Sequence, residues 1–364
     1  GVKQMKENRV NKVLEKMKNE GLKQILVSAP PAMFYLTGKW FHPGERMVTL
    51  LLKTNGEHKL IVNKLFPVEE ELGVDLVWYE DTDKPVEILA SFLDKSEKIG
   101  VDKNWPAHFL ISLMDMNAAS GYVNASPIID RLRMIKDEEE KELMFISSEK
   151  NDRVIEKLIS ELEEGKTEKY YAERVKELYE DEGVFEFSFS PIVAFSPNGA
   201  DPHHGTDNTV LKKGQSVVID IGGVYKSYCS DMTRTVFFGC EPSEEDREVY
   251  EVVKNANINA ISIVKEGVKF SDIDKAARDY IESKGYGKYF THRTGHSIGI
   301  EDHDFGDVSS VNHEEVKEGM IFSIEPGIYI PGRIGVRIED LVMVTKDGCK
   351  VLNSVTKDLL VIEK

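Results

Sequence analysis

The sequence predicts an α/β domain over residues 1–132, followed by an α+β domain over residues 133–364. The chain has 364 residues, which is more than one hydrophobic core usually organises, so two domains are expected. In the first third, short apolar runs of strand character alternate with helical patterns, as in α/β domains. Beyond residue 136 the pattern becomes two helices and a β hairpin, and this order is then repeated. We therefore expect pseudo-twofold helix–hairpin repeats in the second domain.

The first domain is predicted to begin with a surface helix over residues 5–20. Val10, Val13, Leu14 and Met17 recur at helical spacing. Acidic residues are interspersed among the lysines of this stretch, which favours a surface helix over a targeting peptide. Further helices are predicted near 84–95 and 106–118, and strands at 24–28, 48–52, 59–62, 76–79, 99–102 and 122–123.

The second domain is predicted to contain four helices, near 137–163, 167–182, 243–265 and 271–284. Acidic residues over 137–140 favour a helix start, and Thr167 is a candidate N-cap. Strands are predicted at 216–221 and 225–238, joined through Gly222-Gly223, and at 320–325, 327–330, 336–344 and 359–362.

Composition and charge argue against several classes of protein. The net charge of −17 opposes binding to nucleic acid or to an anionic membrane. The sequence has no apolar run of the roughly 20 residues that a membrane helix needs. Cys229, Cys240 and Cys349 form no CxxC pair, which argues against a disulfide framework or a cysteine zinc site. This fits a reducing compartment, and we expect a cytoplasmic protein.

Two pairs of acidic residues suggest a shared buried site. Asp220 ends the apolar strand 217–219, and Asp231 follows 11 residues later, where a hairpin can bring it back beside Asp220. Glu325 ends another apolar run, and Glu339 follows 14 residues later. Each acid alone is more often a turn or salt-bridge residue. Paired carboxylates in apolar strands repel unless a proton or a cation lies between them.

His296 completes this set from a glycine-containing loop between the two pairs. Four carboxylates and one imidazole suit two hard or borderline divalent ions, so Mn²⁺ fits better than a single structural Zn²⁺. Two such ions can lower the pKa of a shared water and polarise a carbonyl. The predicted chemistry is hydrolysis.

The motifs around these residues resemble the prolidase and aminopeptidase P family, whose members have the pita-bread fold. The matching segments, in order, are Asp220-Ile221-Gly222, 230–235 (SDMTRT), 295–299 (GHSIG), 324–327 (IEPG) and 335–340 (GVRIED). A weaker likeness to the family's N-terminal domain rests on 33–38 (MFYLTG) and Glu45-Arg46.

The resemblance implies a role for each matching residue. Asp220 would bind one metal ion, His296 and Glu325 the other, and Asp231 and Glu339 would bridge both. Glu325 would also act as acid and base. His203 and His303 match substrate-side histidines, and Arg337 would hold Glu339 or the substrate. For His204 a loop-supporting role is favoured.

The implied activity is that of an Xaa-Pro aminopeptidase, which acts on proline-containing peptides. It would use two divalent metal ions, and Mn²⁺ is preferred over Co²⁺ or Zn²⁺ as their identity. Its close rival is an Xaa-Pro dipeptidase. Some prolidases carry Pro-Arg after the second histidine, but here 304–307 (DFGD) follows His303. We expect Asp307 to repel the carboxylate of a dipeptide, which favours longer substrates. Methionine aminopeptidase, metal-free creatinase-like hydrolysis and an inactive binding protein fit the motifs less well.

The resemblance also implies a homodimer formed largely through the N-terminal domain. The loop 38–44 (GKWFHPG) is a candidate contact. Its Trp40, Phe41 and His42 would either reach the partner's active site or cap their own domain, and the second role is favoured.

Overall fold

The computed structural model describes residues 5–364, which fall into two units that divide after Arg133. The first unit is α/β and the second is α+β with two helix pairs, so the fold class predicted from the sequence is confirmed. No helix among the described residues is both long and apolar enough to cross a bilayer.

The first unit is built on one mixed six-stranded sheet. Its strands, in chain order, are β1 (Gln24–Val27), β2 (Thr49–Lys53), β3 (Lys59–Asn63), β4 (Asp75–Tyr79), β5 (Lys98–Val101) and β6 (Gly121–Asn124), arranged in the order β4-β3-β2-β1-β5-β6. Its helices are α1 (Glu7–Asn19), α2 (Pro30–Thr37), α3 (Pro85–Ala90), α4 (Ala107–Asp115) and α5 (Ser126–Met134).

Two of these helices, α2 and α5, were not expected from the sequence. The helix α2 begins with Pro30 and Pro31, and Gly38 ends it in the left-handed conformation at φ 76°, as helix caps prefer. Five of its eight residues are buried. A short helix that is apolar on most sides has no amphipathic period to reveal it.

The second unit opens with the helix pair α6 (Glu138–Ser160) and α7 (Glu168–Asp181). Asp137 and Glu140 form a reciprocal capping box at the start of α6, and the side chain of Thr167 accepts a hydrogen bond from the backbone N of Tyr170 at the start of α7. A second pair follows, α8 (Glu244–Ser262) and α9 (Phe270–Ser283). Each start therefore carries the acids or caps that helix N-termini favour.

The strands of the second unit lie in two larger sheets and two hairpins. They are β7 (Ile192–Phe195), β8 (Ser216–Ile221), β9 (Val224–Tyr225), β10 (Tyr228–Cys229), β11 (Met232–Phe238), β12 (Gly295–Ser297), β13 (Asp304–Val308), β14 (Ile321–Ile324), β15 (Gly327–Ile330), β16 (Ile334–Arg337), β17 (Asp340–Val344), β18 (Cys349–Val351) and β19 (Val361–Ile362). The larger sheets have the orders β19-β11-β8-β7 and β13-β12-β14-β17-β18, and β9 pairs with β10 and β15 with β16.

Each helix pair covers one of the two larger sheets. Apolar side chains of α6 and α7 pack against β7, β8 and β11. Those of α8 and α9 pack against β14, β16 and β17 in a separate core. The two sheets meet where Thr233 of β11 forms a β-bridge with Glu339. The polar site therefore lies between two apolar cores.

The predicted strands 225–238 and 336–344 are both interrupted. Gly222-Gly223 is not the hairpin turn. The turn lies at Lys226-Ser227, whose φ angles of 45° and 74° match a tight β-hairpin connection. Glycine is needed at 222 because a Cβ there would lie 2.0 Å from the backbone oxygen of Ser230. The second interruption falls at Ile338 and Glu339, where Glu339 bonds to Thr233 and does not continue the ladder.

Candidate metal centre

The first acid pair lies at one end of the β8–β11 hairpin. Asp220 is the penultimate residue of β8, directly opposite Thr233 of β11. Asp231 immediately precedes β11. The hairpin therefore brings the two carboxylates to the same end of the sheet, as expected from the sequence.

The second acid pair lies just beyond the ends of β14 and β17. Glu325 follows Ile324, whose partner Asp340 is preceded by Glu339. Two hydrogen bonds join this pair to the first hairpin. The backbone N of Glu339 donates to the backbone O of Thr233 at 3.0 Å, and Thr233 Oγ1 donates to Glu339 Oε1 at 2.8 Å. Asp231 therefore lies with Glu325 and Glu339, whereas Asp220 is outside the set whose ligand atoms all lie within 4.8 Å of one another.

His296 lies in strand β12 and not in the loop expected from the sequence. Its Nδ1 lies 3.1 Å from the backbone O of Ser297. A carbonyl only accepts, so this nitrogen carries the proton and Nε2 presents its lone pair. Nε2 lies 3.2 Å from Asp231 Oδ2 and 3.8 Å from Glu325 Oε2. A lone pair facing two carboxylates calls for a cation between them.

The electrostatics of the four clustered residues also fit a cation. The ligand atoms of Asp231, His296, Glu325 and Glu339 all lie within 4.8 Å of one another. Burial, and then the neighbouring Glu339 and Asp220, raise the pKa of Asp231 well above its usual range. Burial also raises the pKa of Glu325, and burial together with Glu325 raises that of Glu339. Asp231 Oδ1 and Glu339 Oε2 are buried without a hydrogen-bond partner, which is costly unless an ion takes that place.

Asp220 is held by Arg337. Arg337 Nη2 donates to Asp220 Oδ2 at 2.8 Å, and Asp220 Oδ1 is buried without a hydrogen-bond partner. The sequence suggested Glu339 or the substrate as the partner of Arg337. The link to Glu339 instead runs through Thr233 Oγ1, which lies 3.3 Å from Arg337 Nε. One guanidinium therefore orients a carboxylate on each hairpin.

His203 and His303 line a cavity of about 560 Å³ above these acids, a size that suits a short peptide. The His303 ring stacks on that of His296 with centroids 3.8 Å apart. Burial, His296 and Arg293 lower the pKa of His303 to about 4. Arg293 Nη2 lies 2.8 Å from His303 Nδ1, and because arginine only donates, the proton of the neutral ring is on Nε2.

Several cavity residues were missed in the sequence, namely His292, Arg293 and Asp302. His292 and Arg293 precede the Gly295-His296 motif directly, and that proximity is the signal that could have found them. His292 Nε2 lies 2.7 Å from the hydroxyl of Tyr329. Asp302 was hidden in the run 301–304 (EDHD), where alternation cannot tell which acid points inward.

Asp307, which was expected to repel a dipeptide carboxylate, is paired with Arg293. Arg293 Nη1 lies 2.7 Å from Asp307 Oδ2. Arg293 keeps 35% of its side chain exposed and lines the cavity. A planar guanidinium thus stands in the cavity although the Pro-Arg segment of some prolidases is missing.

The loop that carries His203 is fixed by Glu168, a second buried residue that the sequence did not reveal. The side chain of Glu168 is fully buried at the start of α7, and burial raises its pKa. Its oxygens accept hydrogen bonds from Phe195 N at 2.7 Å, Asn198 Nδ2 at 3.0 Å, His204 Nε2 at 2.7 Å and Asp207 N at 3.1 Å. His204 therefore supports the loop, as expected.

Comparison with known proteins agrees with the motifs. The model of metallopeptidase family M24 matches residues 142–346, and that of the Creatinase/Prolidase N-terminal domain matches residues 9–135. An uncharacterized peptidase of Staphylococcus aureus (strain MSSA476) is 36% identical over 356 residues, covering 96% of this chain and 99% of the relative.

Solved structures give the same result. A prolidase from Thermococcus sibiricus is 36% identical with a TM-score of 0.91, over 98% of this chain and 99% of that chain. An X-Pro aminopeptidase from Thermotoga maritima is 28% identical with a TM-score of 0.85, over 97% and 99% of the two chains. The resemblance inferred from the motifs is confirmed, and the chain belongs to the Xaa-Pro peptidases of metallopeptidase family M24.

Proposed function

We propose that this chain is a hydrolase with two divalent metal ions that removes the N-terminal residue of peptides with proline at the second position. The observation that carries this proposal is the buried cluster of Asp231, His296, Glu325 and Glu339, with ligand atoms within 4.8 Å of one another. Oxygen ligands with one imidazole suit hard or borderline divalent ions. We propose Mn²⁺, with Co²⁺ or Zn²⁺ as alternatives.

In this proposal Asp220 would hold one ion, His296 and Glu325 would hold the other, and Asp231 and Glu339 would serve both. Two such ions, when bound, polarise the scissile carbonyl and make water nucleophilic near neutral pH. Arg337 has no ligand role here. It fixes Asp220 through Nη2 and so keeps Oδ1 of that carboxylate directed to the centre.

Glu325 is proposed to move the proton during the reaction. Glu325 lines the cavity beside His296, where its carboxylate can accept a proton from the attacking water. The same group then gives that proton to the departing nitrogen of proline.

His303 and His203 are proposed to contact the substrate. His303 is neutral near pH 7, because burial lowers its pKa to about 4. Its Nε2–H is available to donate to the carbonyl oxygen as negative charge develops there. His203 lines the same cavity, on the loop that Glu168 fixes.

A second candidate function, Xaa-Pro dipeptidase, is favoured by Arg293. The free carboxylate of a dipeptide follows proline directly, and a planar guanidinium binds such a group well. Arg293 is half-buried in the cavity wall, next to His303. Its pairing with Asp307 offsets the negative charge that was expected to favour longer peptides. The two candidates differ only in substrate length.

We also propose a cytoplasmic homodimer. In the N-terminal unit the ring of Trp40 stacks on that of Phe34 with centroids 4.9 Å apart, and Phe41 is buried. This packing supports a role for the loop in its own domain. Light scattering at micromolar concentration tests assembly, and a monomer there would remove the dimer from the proposal.

A metal titration combined with a peptide panel tests the proposed function. The purified protein is stripped with a chelator, assayed on Xaa-Pro and Xaa-Pro-Yaa peptides, and then resupplied with Mn²⁺ or Co²⁺. We expect chelation to abolish hydrolysis, the metal to restore it, and two ions to bind per chain. Full activity in a demonstrably metal-free preparation would exclude the metal mechanism.

Substitution of the acids sharpens this test. Asp231→Asn and Glu339→Gln should reduce activity more than Asp220→Asn, since each contacts both ions in the proposal. Glu245→Gln, at an exposed acid, is the matched control. Circular dichroism must accompany each variant, because changes in a buried acid cluster also alter stability. Equal and mild losses at all three acids would indicate carboxylates with a structural role alone.

A further inference from the structure

Asp302 places an additional carboxylate beside the metal centre. It lies between β12 and β13 and lines the same cavity. Only 19% of its side chain is exposed. Its Oδ2 lies 3.4 Å from His303 Nε2, whereas Oδ1 is buried and has no hydrogen-bond partner. Oδ2 therefore has a polar neighbour, whereas Oδ1 has no hydrogen-bond partner.

The orphaned oxygen of Asp302 belongs to a small group among the described residues. Besides Asp302, the acids there with a buried oxygen that has no hydrogen-bond partner include Asp220, Asp231, Glu339 and Asp340. Of these, Asp340 has a lysine nearby, since its Oδ2 lies 3.0 Å from Lys357 Nζ. The acids that remain are three proposed metal ligands and Asp302.

Without a cation, the carboxylate of Asp302 would be repelled by the carboxylates around it. Asp302 shares the cavity wall with Asp220, Asp231 and Glu325. The ligand atom of Asp302 lies within 4.8 Å of those of His296 and His303. Like charges held this close in a buried site are stable only when an opposite charge is shared between them.

From these observations we propose that Asp302 is a sixth protein ligand of the metal centre, binding through Oδ1 the ion held by His296. This rests on the proposed two-metal function. The motif-based assignment contains five ligands, and Asp302 is outside it. Oδ2 meanwhile lies 3.4 Å from His303 Nε2, so the same carboxylate stands next to the substrate-side histidine.

Metal binding, measured apart from activity, tests this inference. Apo protein is titrated with Mn²⁺ by calorimetry, and the bound metal is counted after dialysis. We expect Asp302→Asn and Asp302→Ala to weaken one of the two sites by about tenfold or more, because a ligand should matter at least as much as a residue that orients one. Glu301→Gln is the matched control, because Glu301 is not among the described residues lining the cavity. It should bind both ions as the wild type does.

The outcomes separate this inference from the proposed function. If the wild type binds no second ion, the proposed two-metal function fails. If the wild type binds two ions and both Asp302 variants bind them with wild-type affinity, the inference alone fails. Unchanged metal affinity with a raised KM would assign Asp302 to the ammonium group of the substrate, and this too would overturn it. Circular dichroism on both variants excludes unfolding as the cause of a loss.

Discussion

Arg337 and Asp220 form a buried ion pair in which Nη2 donates to Oδ2 at 2.8 Å. The same guanidinium donates from Nη1 to the hydroxyl of Tyr329 at 3.1 Å. Because Arg337 approaches Asp220 from one side, the other oxygen of the carboxylate is left for the metal centre. Arg337 therefore both orients the proposed metal ligand Asp220 and adds a positive charge next to it.

Replacing Arg337 should weaken metal binding more than it weakens folding. Lysine keeps the charge but cannot donate to Asp220, Tyr329 and Thr233 at once. We expect Arg337→Lys to reduce Mn²⁺ affinity and kcat/KM by about 10- to 100-fold, as for residues that orient metal ligands. Arg333→Lys, at an exposed arginine paired with Asp246, is the control. Wild-type metal affinity in Arg337→Lys would show that charge alone suffices.

Glu168 should affect catalysis through the loop that carries His203. In Glu168→Gln, one acceptor oxygen becomes an NH₂ group that faces hydrogen-bond donors. We expect a loss of about 1–3 kcal/mol in the free energy of unfolding and a lower kcat. Urea unfolding and steady-state kinetics measure both quantities. Glu173→Gln, at an exposed position of the same helix, is the matched control.

A double-mutant cycle distinguishes positioning from general destabilisation. If Glu168 acts through His203, then His203→Ala should cost less in the Glu168→Gln background than in the wild type. Additive losses would mean that Glu168 stabilises the fold without positioning His203.

Site residues whose role depends on the strand pattern could be predicted from the sequence. Those whose role depends on loops could not. Asp220 and Glu325 each end an apolar run, so their place at a strand end could be predicted, and the repeated spacing predicted their partners. Glu168 has no such pattern. Its importance comes from donors up to 39 residues away, which become neighbours only after folding.

The partners of charged loop residues could not be predicted from the sequence either. Asp307 looked repulsive because its distance to Arg293 could not be known before the β12–β13 hairpin was built. His296 was expected in a loop because glycine precedes it, yet Gly295 is required inside the strand. A Cβ there would lie 1.8 Å from the backbone O of Ser323, so this glycine permits close strand approach.

His292 should make the metal-free protein less stable in mild acid. Its Nδ1 lies 2.6 Å from the backbone O of Arg293 and its Nε2 lies 2.7 Å from the hydroxyl of Tyr329. Burial lowers its pKa from 6.5 to about 4. Between these values the unfolded chain takes up a proton that the folded chain does not. Stability is therefore complete above pH 6.5 and falls as the pH decreases toward 4.

The size of this effect can be measured by urea unfolding at pH 7.5 and pH 5 with a chelator present. We expect His292 to account for roughly 2 kcal/mol of the stability lost between these pH values. His292→Gln, which does not titrate there, should lose correspondingly less. His313→Gln controls for the removal of an exposed imidazole. An unchanged pH dependence in His292→Gln would show that the buried ring titrates alike in both states.

Arg293 should decide between dipeptides and longer peptides. In Xaa-Pro the group after proline is a carboxylate, and in Xaa-Pro-Yaa it is a neutral amide. A charge-assisted hydrogen bond to a half-buried carboxylate contributes about 1.5–3 kcal/mol, which corresponds to roughly 10- to 150-fold in kcat/KM. We expect Arg293→Ala to reduce kcat/KM for the dipeptide by that factor more than for the tripeptide. Both substrates must share the same N-terminal residue and saturating metal.

The ratio of the two substrates is the informative quantity, because Arg293 also donates to His303. Loss of that hydrogen bond lowers activity on both substrates alike and cancels in the ratio. Asp307→Asn is the complementary variant. It removes the acid that competes for the guanidinium, so the dipeptide should be cleaved at least as well as by the wild type. If Arg293→Ala reduces both substrates equally, Arg293 only supports His303. The carboxylate contact that favours a dipeptidase is then absent, and the aminopeptidase becomes the better description.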